Sequence, residues 1–141
     1  MIAKIDHKVQ RAEYFHTIVK DQPGAAYKVL SQLVEIGINL LAFTAIPISP
    51  TRTQLTMFPQ SKTNMVKKAK MVGLKLEGPH SAFLVQGDDE LGSLADIHMN
   101  LYDANINVTA SSGVADGTGS YGYVIYIRKG DFARAARILG V

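Results

Sequence analysis

Cysteine and tryptophan are both absent from the 141 residues. Without cysteine there is no disulfide framework, no thiolate metal site and no thiol nucleophile. The lack also fits a reducing compartment. No apolar run approaches the roughly 18 residues of a membrane span. The start, Met1-Ile2-Ala3-Lys4-Ile5-Asp6-His7-Lys8, lacks the apolar stretch of a signal peptide. The expectation is a cytoplasmic protein with no membrane partner. The net charge is small as well. Lys and Arg number 15 against 12 Asp and Glu, a formal charge of +3. The local excess at Lys62, Lys67, Lys68 and Lys70 reads as a solvated helix face. So few phosphate contacts would bind nucleic acid weakly and salt-sensitively, and nucleic acid is not the expected partner.

The chain is instead rich enough in apolar residues, 47% against 19% charged, to build a core. Its length allows one domain or two very small ones. Displaced by 68 positions, the sequence matches itself without a gap. Phe15 falls on Phe83, Asp21 on Asp89, Gly24 on Gly92 and Leu33 on Leu101; Ile38, Asn39 and Ala42 fall on Ile106, Asn107 and Ala110. Those seven identities lie between positions 15 and 42, where composition alone gives roughly two. Val29 with Ile97 and Leu40 with Val108 are conservative pairs. The chain therefore reads as two copies of one unit.

Each copy follows one plan. Tyr14 to Val19 and Ser81 to Gln86 are predicted strands. Ala26, Val29, Leu30 and Leu33 then share a helix face, as do Leu91, Leu94, Ile97 and Leu101. Asp21 and Asp89 stand where a helix cap is wanted, and Pro23 suits a first helical turn. Gly37 and Asn105 end the helices, being the residues that best tolerate a left-handed cap. Second strands run from Ile38 to about Ile46 and from Ile106 to Val114, before breaks at Pro47, Pro50 and Asp116-Gly117-Thr118-Gly119. Third strands span Gln54 to Phe58 and Tyr121 to Arg128. Second helices span Lys62 to Val72 and Asp131 to Leu139, and Leu74 to Glu77 closes copy one as a fourth strand. The expected fold class is α+β, with two ferredoxin-like β-α-β-β-α-β units in tandem and the second lacking its last strand. The expected division is an N-terminal extension, 1–12, then units at 13–78 and 79–141. The missing strand leaves Ser81 to Gln86 as a bare edge. Either residues 3 to 9 or a second chain is expected to cover it.

Asp21-Gln22-Pro23-Gly24, a helix, then Gly37-Ile38-Asn39 resembles the signature of ACT domains. Asp89-Glu90-Leu91-Gly92 and Asn105-Ile106-Asn107 repeat it, with Leu91 where Pro is usual and Asn105 where Gly is usual. The resemblance covers about 13 to 141 as two ACT units. It implies a free-standing regulatory protein that binds an amino acid or similar small ligand and passes the signal to a metabolic enzyme or regulator. It also implies side-by-side pairing of units, with ligands at the seam. The expectation is that no enzyme is attached, and no catalytic activity or cofactor is implied.

The residues suit such a ligand. A loop before a helix N-terminus offers N–H groups and a dipole to a carboxylate. Gly24 and Gly92 leave that approach open, and Asp21 or Asp89 could hold an ammonium group. Asn39 and Asn107 begin second strands, at the far end of their own units. Paired antiparallel, each Asn would serve the other unit's loop, giving two expected sites. One comprises Asp21, Gln22, Pro23, Gly24 and Asn107; the other comprises Asp89, Glu90, Leu91, Gly92 and Asn39. Asn both donates and accepts, as a zwitterion requires. The competing reading is structural, with Asp capping, Gly turning and Asn starting a strand. Asp88, Asp89 and Glu90 could attract a hard cation, but read more simply as a solvated acidic turn.

His7, His16, His80 and His98 show no metal-ligand spacing, and His98 falls beside the apolar stripe of its helix. Ser111 and Ser112 lack the context of a nucleophile elbow. Two alternatives to ligand sensing remain. Ser120-Tyr121-Gly122-Tyr123-Val124-Ile125-Tyr126 resembles the RNP1 element of RNA-recognition motifs, whose third strand would present Tyr121 and Tyr123 to bases. The other is a structural oligomerisation module. Ile38 to Ile46 is apolar on both faces, Leu40, Ala42 and Ile46 against Leu41, Phe43 and Ala45. One face must be covered, and a homodimer is the expectation.

Overall fold

The computed structural model describes residues 7–60, 65–88 and 91–141, and at residues 7, 88 and 91–93 the backbone alone. It is α+β. In chain order the elements are β1 (His7–Lys20), α1 (Ala25–Glu35), β2 (Leu40–Ser49), β3 (Arg52–Pro59), α2 (Met65–Met71), β4 (Glu77–Asp88), α3 (Leu91–Asp103), β5 (Val108–Ala115), β6 (Ser120–Ile127) and α4 (Lys129–Leu139). None of the described helices is long and apolar enough to cross a membrane.

Two compact units result. The first is Glu13–His80; the second is Ser81–Val141 together with residues 7–12. The boundary thus falls after His80 rather than at 78, and the strand formed by residues 7–12 groups with the second unit. Each unit has the same strand order. In the first it is β2-β3-β1-β4, with residues 13–20 of β1 and 77–80 of β4. In the second it is β5-β6-β4-β1, with residues 81–88 of β4 and the beginning of β1. The duplicated plan is therefore complete in both. The fourth strand missing from the second copy's own sequence is supplied by the start of β1. Val9 packs there against the second core, and Arg11 Nη2 donates to the Val141 carbonyl at 3.0 Å. Residues 3 to 6 of the expected covering segment lie outside the described residues.

The cores follow the repeat. In the first unit Phe15, Val29, Leu33, Leu55, Met57, Met65, Ala69 and Leu74 are buried together. Phe15 stands opposite Met57, and Met57 opposite Phe43, so one row of side chains crosses three strands toward the helices. In the second unit Phe83, Val85, Ile97, Leu101, Ile106, Ile125 and Ile127 do the same with Ala135 and Ala136 of α4. Phe132 of α4 stacks on Phe83, ring centroids 4.4 Å apart. Full burial of one such side chain stabilises by about 1.5–3 kcal/mol, so these rows supply most of the drive to fold.

The four described helices end alike. Gly37 (φ 73°) and Asn105 (φ 58°) are left-handed. The N–H of Ile38 reaches back to Leu33 O and that of Ile106 to Leu101 O. Gly73 and Gly140 end α2 and α4 with the same pair of bonds, Leu74 to Ala69 and Val141 to Ala136. This is the six-to-one closure of a Schellman cap.

Several boundaries differ from the sequence reading. Leu74 is spent on that cap and buried, so the first unit's fourth strand starts at Glu77. Pro47 does not end β2. The strand has a free edge, where a missing N–H costs no ladder bond, and a register shift between Pro47 and Ser49 absorbs the ring. A second shift, between Leu40 and Ala42, moves Leu40 onto the same side as Phe43, and both pack on the core. The strict alternation assigned to Ile38–Ile46 therefore fails at its start. Lys62 of the expected second helix lies outside the described residues.

Candidate functional site

β1 delivers the chain at Lys20 into the turn Asp21-Gln22-Pro23-Gly24, which α1 follows directly. The turn is held by its main chain. Asp21 N–H donates to Thr51 O at 2.9 Å, Gln22 N–H to Lys20 O at 2.9 Å, and Ala25 N–H to Gln22 O at 3.3 Å. Asp21 does not cap the helix. The cap position belongs to Gly24, at φ 85°, with no side-chain hydrogen bond to the first turn. Pro23 lies before the helix rather than in its first turn. The physical reason is the left-handed bend at Gly24: it redirects the chain after the Pro, so α1 begins only at Ala25. The outcome is a helix N-terminus of 11 residues' dipole whose first N–H groups no side chain closes. A Cβ placed on Gly24 would meet nothing within 4 Å. All four turn residues are exposed.

Asn39 is exposed and precedes β2. Its carbonyl accepts the Gln60 N–H at 2.9 Å, which leaves the carboxamide free of any backbone duty in that bond. α1 lies between Asn39 and the Asp21–Gly24 turn, and 11 residues rise about 16 Å, so the two features occupy opposite ends of the first unit. Asn107 is the matching exposed residue before β5 in the second unit. Asp89 and Glu90 lie outside the described residues. Leu91 and Gly92 open α3, and only their backbone is described. The acidic run that could attract a cation is thus largely outside the description; among the described residues no three His, Asp or Glu groups converge in a metal-holding arrangement.

The tyrosines of β6 do not form a base-stacking face. Tyr121 and Tyr123 are partly buried against the second core, on the helix side of the sheet. The Tyr123 hydroxyl lies 2.8 Å from His98 Nε2 of α3, with the rings edge-to-face at 5.7 Å. The RNA-recognition reading is therefore overturned, since its stacking surface is occupied by the protein's own helix. A Gly in β5 makes room for the ring: a Cβ on Gly113 would stand 2.5 Å from Tyr123 Cδ1.

One cluster was not foreseen from the sequence. Tyr14 and His16 project from the same side of β1, opposite to Phe15 and its core. His80 of β4 joins them, with ring centroids 5.1 Å from His16 and 5.3 Å from Tyr14. Phe58 lies 5.1 Å from Tyr14. His16 Nδ1 is 3.1 Å from Thr56 Oγ1, and His80 Nε2 is 3.3 Å from Glu77 Oε1. Burial, aided by Glu77, raises the Tyr14 phenol above its ordinary pKa. The period-two spacing of Tyr14 and His16 was the available signal, but nothing local said that residue 80 would come beside them.

No family model matches the sequence, and no curated protein matches it. Solved structures do match in fold. A protein from Bacteroides thetaiotaomicron, BT0572, superposes with a TM-score of 0.78 at 14% identity, over 94% of this chain and 88% of that one. The regulatory subunit of aspartate kinase from Thermus flavus gives 0.62 at 15% identity, over 96% and 95%. Aspartate kinase from Clostridium acetobutylicum gives 0.56 at 14% identity, over 94% of this chain but 33% of that enzyme. At these identities the likeness is one of fold. The chain thus shares its fold with the regulatory subunit of aspartate kinase, and that fold is compatible with the resemblance to ACT domains carried by Asp21–Gly24 and Gly37–Asn39.

Proposed function

We propose that this chain is a non-catalytic regulatory module that binds an amino acid or a related small carboxylate. The turn Asp21–Gly24 and its counterpart Asp89–Gly92 hold the ligand's head group, and Asn39 and Asn107 supply further polar contacts. One observation carries the reading. α1 starts at a left-handed Gly24 with open space where a Cβ would be and no side-chain cap. A carboxylate there accepts from main-chain N–H groups and meets the positive end of the helix dipole, while the Asp21 carboxylate faces an ammonium group. The fold shared with aspartate kinase regulatory subunits supports a role in signalling rather than catalysis. The reader of that signal is a metabolic enzyme or regulator, and the working form is a homodimer in the cytoplasm.

A second reading, a structural oligomerisation module, draws on exposed apolar residues of the first unit. Ile18 flanks Gln54 on one side and Ile46 flanks it on the other, and both isoleucines are about half exposed, as is Ile48. Thermal unfolding across a panel of amino acids and short carboxylates separates the two. Ligand sensing predicts that at least one compound raises the melting temperature, and that Gly24→Ala and Asn107→Ala each reduce the rise. A flat panel, with dimerisation intact by sedimentation, supports the structural module instead.

A further inference from the structure

We propose that the first unit carries a pH-sensitive latch formed by His16 on β1 and His80 on β4. The two imidazoles lie 5.1 Å apart at an interplanar angle of 43° on the sheet face away from the helices. Among the described residues the charges facing them are few. On β1 the titratable neighbour is Tyr14; on β4 it is Glu77, 3.3 Å from His80; β3 contributes Thr56 and Phe58, which carry no charge. One carboxylate therefore serves two imidazoles. A first proton has a counter-charge beside it. A second places two positive charges on adjacent rings with no second carboxylate beside them among the described residues, and like charges at that range repel.

Packing holds the rings in place. Thr56 is 4% exposed and fixes His16 through its hydroxyl. Gly78, between Glu77 and His80, meets β1 closely: a Cβ there would stand 2.9 Å from both Phe15 Cδ2 and the Tyr14 carbonyl. That close approach ties β4 to β1 beside the two rings. Burial, then the charge on His80, depress the His16 pKa, and Glu77 opposes them. The sign follows. Below the ordinary imidazole pKa of about 6.5, the unfolded chain takes up a proton at His16 that the folded unit resists. Stability therefore falls as the pH drops from that value toward the depressed one. Acidification weakens the β1–β4 pairing of this unit first. The inference does not depend on ligand binding.

The test is a proton NMR titration of the four histidine Cε1–H signals of the full chain, alongside thermal unfolding from about pH 7.5 to about pH 5.5. The His16 signal is expected to titrate below the ordinary imidazole range, and to move upward in His80→Gln. The fall in melting temperature on acidification is expected to be markedly shallower in His16→Gln. A His16 signal titrating at or above the ordinary range, or unmoved by His80→Gln, overturns the proposal. So does an unchanged slope in His16→Gln. Should that variant not fold, the titration of the wild-type chain and of His80→Gln decides by itself.

Discussion

Arg11 of β1 donates a hydrogen bond to the carbonyl of Val141, 130 positions further along the chain, at 3.0 Å. That contact marks how the second copy completes its sheet. It borrows the beginning of β1, and Val9 beside it packs on the core of Phe83, Val85 and Ile125. The bond itself is exposed and worth about 0.5–1.5 kcal/mol, so the strand and its apolar contacts matter more than the pair.

Val9→Asp is therefore expected to destabilise the chain by about 2 kcal/mol or more, because it sets a carboxylate against an apolar core. Chemical denaturation measures this. Hydrogen exchange gives the complementary check: the amides of Ala82–Val85 should exchange slowly in the wild-type chain and quickly in the variant.

Asn105 takes φ 58° where its counterpart Gly37 takes 73°. A side chain other than Gly costs roughly 1–2 kcal/mol in that conformation, and Asn is among the residues that best tolerate it. Asn105→Ala should lower stability by about 1 kcal/mol, and Asn105→Gly should leave it unchanged or raise it. Equal losses in both variants would contradict the cap.

These caps show what the sequence made readable. Gly37 and Asn105 aligned in the repeat, and both ended helices as expected. Phe15 with Phe83, Val29 with Ile97, and Leu33 with Leu101 were buried as pairs. Local chemistry and the repeat specified these positions. Other features depended on partners distant in the chain. The assignment of residues 7–12 to the second unit, the meeting of His80 with His16, and the inward turn of Tyr123 toward His98 each join residues that no local pattern links. Gly73 and Gly140 are 67 positions apart rather than 68, so the copies also drift by one residue before their last helices. Of the candidate site, the Asp21–Gly24 turn was legible; the displacement of the cap from Asp21 to Gly24 was not, because it rests on a single backbone angle.

Tyr123→Phe removes the hydroxyl that meets His98 at 2.8 Å. The expected loss is about 1 kcal/mol, read by denaturant unfolding. Gly113→Ala should cost more, since its methyl enters the space of the Tyr123 ring and overpacking costs typically 1–3 kcal/mol. A salt titration with single-stranded RNA should give no saturable binding, because the ring is not presented outward.

Gly78→Ala should be among the most damaging single changes, at about 2–3 kcal/mol. Gly78 has φ 139°, and an added Cβ would press on the Tyr14 carbonyl, which cannot yield as a side chain can. Gly117→Ala offers the control: it also has a positive φ but open space around it, so it should cost only the backbone strain.

The ligand-sensing role is tested most directly by amide NMR of the labelled chain during titration with an amino acid that raises its melting temperature. A ligand at 100 times its Kd should stabilise the fold by about 2.7 kcal/mol. The largest shifts are predicted at the amides of Gly24, Ala25, Ala26 and Tyr27, where the first turn of α1 meets the carboxylate. Shifts confined to other surfaces, with those four amides unmoved at saturation, would contradict the account.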